Sequence, residues 1–271
     1  MLRFLYQTCF GRIILKVLTR PQISIICGRF LDSKYSGLLV PYFVKKNKIT
    51  LSEFQDTDFE NFNQCFCRKI RPEYRPIDMQ KGSFISPCDG LLSAYRIQGD
   101  LVIPVKQSAY HISDLLRDEK LAEKYQGGTC LVIRLCVNHY HRYCYPDNGI
   151  KTGNVFLPGV LHTVRPIALR QVPVFTENSR EYTCIQTENF GEIVQMEVGA
   201  MLVGKIHNLH GEGRVEKGQE KGYFLYGGST IILLLEPERV KFPEKLYQYT
   251  REQKEVPVRY GQKIGIKKKQ M

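Results

Sequence analysis

The chain reads as an α+β protein, with membrane-associating helices at its N-terminus followed by a β-rich catalytic core. Three observations carry this. Residues 1–49 interleave aliphatic and aromatic residues with arginine and lysine in a pattern suited to amphipathic helices. From about residue 81 onward, short apolar stretches recur between turn residues, as strands do. A length of 271 residues with 43% hydrophobic content suits one domain with an appendage and a substantial core.

The N-terminal segment opens with Met1-Leu2-Arg3-Phe4-Leu5-Tyr6 and continues through Phe10, Ile13, Ile14, Val17 and Leu18, interrupted by Arg3, Arg12, Lys16 and Arg20. No uncharged apolar run approaches the ~20 residues that a spanning helix needs, and no small-residue cleavage site of signal-peptide type follows. A second apolar piece, Gly37 to Val44, ends in Lys45-Lys46-Asn47-Lys48. Such a mixture suits helices lying in a membrane interface, and equally helices packed on their own domain. Residues 50–80 read as a connector. Thr50 and Glu53 have the spacing of a capping box, and Pro72 and Pro76 break any helix that follows.

In the core, Ser86-Pro87-Cys88-Asp89-Gly90 is a turn leading into Leu91–Tyr95. Further strands are expected over Leu131–Val137, within Asn154–Gly159, over Glu181–Gln186 and Gly191–Gly199, and over Ile231–Leu235. One helical interlude is expected around Ile112–Tyr125. The end, Lys263 to Lys269, reads as a mobile basic tail. Residues 1–49 and 50–271 form the two expected units.

Lys plus Arg number 39 against 27 Asp plus Glu, a net charge of +12. This favours an anionic partner. No zinc-finger spacing or single dense basic recognition helix points to nucleic acid, so an acidic membrane surface is at least as open a reading. The nine cysteines are scattered, odd in number and without a Cys-x-x-Cys pair. Reduced thiols are expected, not a disulfide framework or a zinc site.

Chemistry concentrates in three places. Gly227-Gly228-Ser229-Thr230 precedes the aliphatic run Ile231–Leu235, so a hydroxyl stands at the mouth of a rigid strand beside a carbonyl that no side chain shields. By itself this is also an ordinary turn. Asp89 sits in an Asp-Gly turn. Asn138-His139-Tyr140-His141-Arg142-Tyr143-Cys144 follows a strand, and in extended backbone His139 and His141 would share a face. No third ligand accompanies them, so no metal is expected.

Taken together these pieces resemble the phosphatidylserine decarboxylase family, enzymes with a self-made pyruvoyl group. The resemblance rests on Cys65-Phe66-Cys67-Arg68-Lys69 with Arg75-Pro76-Ile77, Ser86-Pro87-Cys88-Asp89-Gly90, Tyr140-His141-Arg142, Asn178-Ser179-Arg180-Glu181, Val198-Gly199-Ala200 and Gly227-Gly228-Ser229-Thr230, in the family's order. It implies that Ser229 attacks the carbonyl of Gly228, that the chain breaks into a β chain 1–228 and an α chain 229–271 which stay together, and that residue 229 becomes a pyruvoyl group. The pyruvoyl group would form a Schiff base with phosphatidylserine and release phosphatidylethanolamine and CO2. It further implies a proton relay from Asp89 through a histidine to Ser229, and a peripheral position on the cytoplasmic face of the cell membrane. A homodimer is left open.

One departure stands out. The family pattern Asp-Tyr-His-Arg-x-His reads here His139-Tyr140-His141-Arg142-Tyr143-Cys144. The base for self-cleavage is then His141 serving both steps, His162 folding back, or Cys144. His141 ranks first and Cys144 last, because a thiol with a pKa of ~8.5 is mostly protonated at neutral pH. Two rival readings remain: a related pyruvoyl decarboxylase of a free amino acid, and an uncleaved, non-catalytic membrane-bound module.

Overall fold

A computed structural model describes residues 1–105, 108–201, 206–226 and 229–268. Gly228, the expected site of attack, lies outside the described residues.

The N-terminal segment is helical, with helices Leu2–Gln7, Cys9–Leu18, Pro21–Leu31 and Val40–Asn47. The first two meet at Thr8, whose hydroxyl accepts a 3.0 Å hydrogen bond from the Gly11 N–H and so caps the second helix. Gly11 is required there, since a Cβ would stand 2.0 Å from the Phe4 carbonyl oxygen. Pro21 opens the third helix at a position where its missing N–H costs nothing. Leu5, Tyr6 and Leu15 face inward and join the main core. Leu31 and Phe43 pack with Phe62, Cys65 and Phe66 in a second apolar cluster.

The core is a nine-stranded antiparallel sheet. Its path runs Gly213–Val215, Gly149–Lys151, Arg180–Thr187, Gly191–Val198, Ser229–Leu235, Thr129–Leu135, Gly90–Arg96 and Val256–Val258, with Val155–Leu157 added against Arg180–Thr187. Ser229–Leu235 is central and buried along its whole length. A strand covered on both faces has no polar alternation, which is why its sequence reads as an unbroken aliphatic run. The strands expected from the sequence are all present, within a residue or two at their ends.

Four expectations are corrected. The helical interlude is two short helices, Ile112–Leu116 and Glu119–Glu123, parted at Arg117, which takes the left-handed conformation. Thr50 precedes only a 3-10 turn, Leu51–Glu53, and its side chain makes no cap bond. Lys263–Lys267 is not a tail but a strand held between Ser83–Ile85 and Val240–Lys241. Ile264 enters the core, and Gly265 leaves room for the Phe242 ring, which a Cβ would meet at 2.8 Å. Finally, His139 and His141 do not lie in extended strand. The chain turns after Leu135, and the two imidazoles have different surroundings, His139 half-buried and His141 wholly buried.

Candidate active site

The register of the sheet gathers the candidate residues at one end. Leu135 pairs with Ser229, and Arg134 pairs with Leu91, so Gly90, Leu135 and Ser229 stand in a row across three strands. Thr230 pairs with Val198 on the next strand. Two of these strands begin at this row and two end there. Asp89 immediately precedes it, and the turn bearing His139 and His141 follows it. Gly90 is needed for this closeness, because a Cβ would stand 2.5 Å from Ile133 Cγ2. Two strand spacings put the backbones of Gly90 and Ser229 about 10 Å apart.

His162 reaches the same end by another route. Asn178 Nδ2 donates to the carbonyls of His162 (2.8 Å) and Gly199 (2.7 Å), and the Met201 N–H donates to the His162 carbonyl at 3.2 Å. The loop carrying His162 is thereby tied to the end of Gly191–Val198.

Ser229 is fully buried, and its Oγ has no hydrogen-bond partner among the described residues. A buried hydroxyl without a partner carries a desolvation cost of about 1–3 kcal/mol, and such sites call for a functional explanation. His141 matches it. Its Nδ1 lies 2.9 Å from the His139 carbonyl oxygen. A carbonyl only accepts, so Nδ1 carries the proton and Nε2 keeps its lone pair. That Nε2 is buried and has no partner among the described residues. Burial, with the nearby Arg68 charge adding to it, holds the His141 pKa well below the usual imidazole value, so the ring is neutral at physiological pH. The ring packs on Phe66 at 4.0 Å between centroids, and the His141 carbonyl accepts from the Phe224 N–H at 3.0 Å. Tyr226 in turn sets its ring edge-on to Phe66 at 5.2 Å. The chain entering Gly227 therefore runs alongside the base.

Asp89 is held differently from the expectation. Its Oδ1 accepts from Arg75 Nε and from the Tyr260 N–H, both at 2.8 Å, and its Oδ2 accepts from Arg75 Nη2 at 2.7 Å. No hydrogen bond from Asp89 to an imidazole is found among the described residues. The imidazole that feels its charge is His139, whose pKa burial lowers and Asp89 partly restores. His162 has both ring nitrogens engaged, Nδ1 with the Tyr6 hydroxyl and Nε2 with Glu177, each at 3.2 Å. Cys144 is buried, which pushes its thiol up to about 12 and leaves no thiolate to act as base at neutral pH. Of the three replacements, His141 alone offers an unengaged basic nitrogen among the described residues. Sequence reasoning missed Arg75 as Asp89's partner and Phe66 as the surface that seats His141. Both stand in motifs already noted, but only the fold shows what they touch.

Comparison with known proteins bears on the family. A family model described as phosphatidylserine decarboxylase matches residues 62–266. The chain is 42% identical over 265 residues to phosphatidylserine decarboxylase proenzyme 2 of Clostridium acetobutylicum, covering 97% of this chain and 91% of that protein. It is 39% identical over 271 residues to the phosphatidylserine decarboxylase proenzyme of Ruminiclostridium cellulolyticum, with 98% and 90% covered. It is 37% identical over 272 residues to that of Clostridium botulinum strain Alaska E43, with 98% and 92% covered.

Proposed function

The chain belongs to the phosphatidylserine decarboxylase family, and we propose that it cuts itself between Gly228 and Ser229, leaves a pyruvoyl group at residue 229, and with it converts phosphatidylserine to phosphatidylethanolamine and CO2 on an anionic membrane. The observation that carries this is the pair of orphaned buried atoms, Ser229 Oγ and His141 Nε2. They are an acid hydrogen and a lone pair with nothing else to bind among the described residues, one on the strand Ser229–Leu235 and the other in the turn that follows its neighbour Thr129–Leu135.

In self-cleavage, Ser229 Oγ gives its proton to His141 Nε2 and attacks the Gly228 carbonyl carbon. The C–N bond breaks as His141 returns the proton to the nitrogen, so an amide becomes an ester. Attack by a neighbouring side chain carries a large effective concentration, so geometry supplies most of what is needed. The residue 229 α proton then leaves, the Cβ–Oγ bond breaks, and Gly228 departs as a carboxylate. Water replaces the nitrogen, ammonia leaves, and a ketone remains at residue 229. The cut frees a piece of 271 − 228 = 43 residues. Its strand Ser229–Leu235 stays paired on both sides, with Gly191–Val198 and Thr129–Leu135, and Lys263–Lys267 stays paired with Ser83–Ile85.

The ketone supplies the electron sink that takes up the electron pair left when the substrate loses CO2, as pyridoxal phosphate does elsewhere. His141 Nε2, the unengaged basic nitrogen, would deliver the proton that the substrate's α carbon must receive. His141 is neutral again once self-cleavage is over, and each turnover consumes one proton, which the imidazole takes up from water and passes on, so one residue serves both steps.

The N-terminal helices support the lipid substrate. Phe10, Ile13, Ile26 and Leu38 are between 62% and 83% exposed, with Arg3, Arg12, Lys16, Arg20, Arg29 and Lys34 among them. No helix of the described residues is long and apolar enough to cross a membrane. These helices would lie in the interface of the cytoplasmic leaflet, each basic residue near anionic lipid contributing about 1 kcal/mol. A denaturing gel with intact masses tests the cut: two chains parting between residues 228 and 229 are expected. Release of CO2 from phosphatidylserine vesicles, and not from free amino acids, tests the substrate. A single uncleaved chain without activity would overturn the proposal.

A further inference from the structure

A cavity of about 950 Å³ opens beside the helix Phe62–Phe66, lined among others by Cys67, Arg68, Arg142, Tyr223 and Leu225. It adjoins His141, whose ring rests on Phe66 and whose carbonyl binds the Phe224 N–H. Arg68 is the odd member of its lining. It is only 3% exposed. Its guanidinium lies on the Phe54 ring at 4.4 Å, Nη1 donates to the Cys65 carbonyl at 3.0 Å, and Nε has no partner among the described residues. No carboxylate pairs with it among those residues.

Its neighbours are treated differently. Arg75 pairs with Asp89, Arg142 with Glu220 at 2.5 Å and Arg134 with Glu255. Arg180, fully buried, gives its donors to four backbone carbonyls. A buried cation with five donors and one bond is costly unless an anion arrives to use the rest.

We propose that Arg68 receives the phosphodiester of the phospholipid headgroup, an inference that rests on the decarboxylase reading above. The substrate offers two anions, and chemistry separates them. A cation paired with the carboxylate would stabilise the ground state of a group about to lose its charge as CO2, which slows the reaction. The phosphodiester keeps its charge throughout, so binding it anchors the headgroup without that penalty. The planar fork of arginine fits a pair of phosphate oxygens. Asp32, Asp56, Asp58 and Glu60, all exposed, also line the cavity and penalise a dianion more than a singly charged diester.

The test uses self-processed enzyme and dispersed short-chain phosphatidylserine. Arg68→Gln is expected to lower kcat/KM about 10- to 100-fold, the loss of a charge-assisted bond, with most of the loss in KM. Arg68→Lys, which keeps the charge and covers the case in which Arg68→Gln does not fold, should fall between. Glycerophosphoethanolamine should compete against wild type more strongly than inorganic phosphate, should lose its effect in Arg68→Gln and should keep part of it in Arg68→Lys. A loss confined to kcat, unchanged competition in the variants, or equal competition by inorganic phosphate would overturn the assignment. If wild type makes no phosphatidylethanolamine, the decarboxylase reading fails. Arg68 is then judged on the uncleaved Ser229→Ala protein, where glycerophosphoethanolamine should raise Tm only while Arg68 is present.

Discussion

The N-terminal helices and the Ser229 end of the sheet break the ordinary sorting of residues in opposite directions. The helices leave Phe10, Ile13, Ile26 and Leu38 in water, while the sheet end takes Ser229, Thr230 and His141 out of it with atoms that have no partner among the described residues. Other buried polar groups do find partners. Lys221, fully buried, donates to Glu197 at 2.6 Å and to Asn208 at 2.8 Å. Asn178 satisfies two carbonyls and accepts from the His162 N–H at 2.9 Å. The contrast teaches that the two regions depart for different reasons. An apolar surface without a core to cover it points to a partner outside the chain. A buried donor or acceptor without a partner points to chemistry done with it.

The largest test of the sheet end is Ser229→Ala. It should leave one chain of full mass and reduce decarboxylation to background, read by intact mass and CO2 release. Next comes the choice of base. His141→Gln should slow self-cleavage by about 10²–10⁴-fold, the worth of a positioned proton acceptor. His162→Gln should cost far less, because both nitrogens of His162 are already engaged with Tyr6 and Glu177. Equal losses in the time course of chain appearance would place the proton on the wrong ring.

Breaking the Asp89–Arg75 pair tests a structural role against a relay. The two side chains are 9% and 14% exposed. Arg75→Ala should destabilise the fold by about 3 kcal/mol, as removing one partner of a buried pair does, measured by urea unfolding of the Ser229→Ala protein. A change near zero would return Asp89 to the proton relay.

On the helices, Phe10→Asp with Ile13→Asp should weaken binding to anionic vesicles at least about tenfold, since burying each side chain is worth roughly 1.5–3 kcal/mol. Turnover of a dispersed short-chain substrate should stay the same. If both fall together, the helices support the core and do not hold the membrane.

The smallest effect is in pH. The folded-state pKa of His141 is depressed below its unfolded value of ~6.5. Only the unfolded state then takes up a proton as pH falls below that value. Stability from this group is complete above pH ~6.5 and declines below it, by about 1.4 kcal/mol at pH ~5.5. His141→Gln in the Ser229→Ala background should flatten that part of the profile.

Local chemistry determined much by itself. Ile231–Leu235 reads as a buried strand because every residue is aliphatic. The excess of basic residues points to an anionic partner because charge acts at a distance whatever the fold. Tertiary structure decided what needs neighbours distant in sequence. It gave Asp89 to Arg75 and Tyr260, and His162 to Tyr6 and Glu177. It turned the chain after Leu135, so that His139 and His141 differ where alternation put them on one face, and it drew Lys263–Lys267 into the middle of a three-stranded sheet. A side chain's partner and its burial depend on which strands lie side by side, and that order, unlike periodicity or charge, is written in no single stretch of the chain.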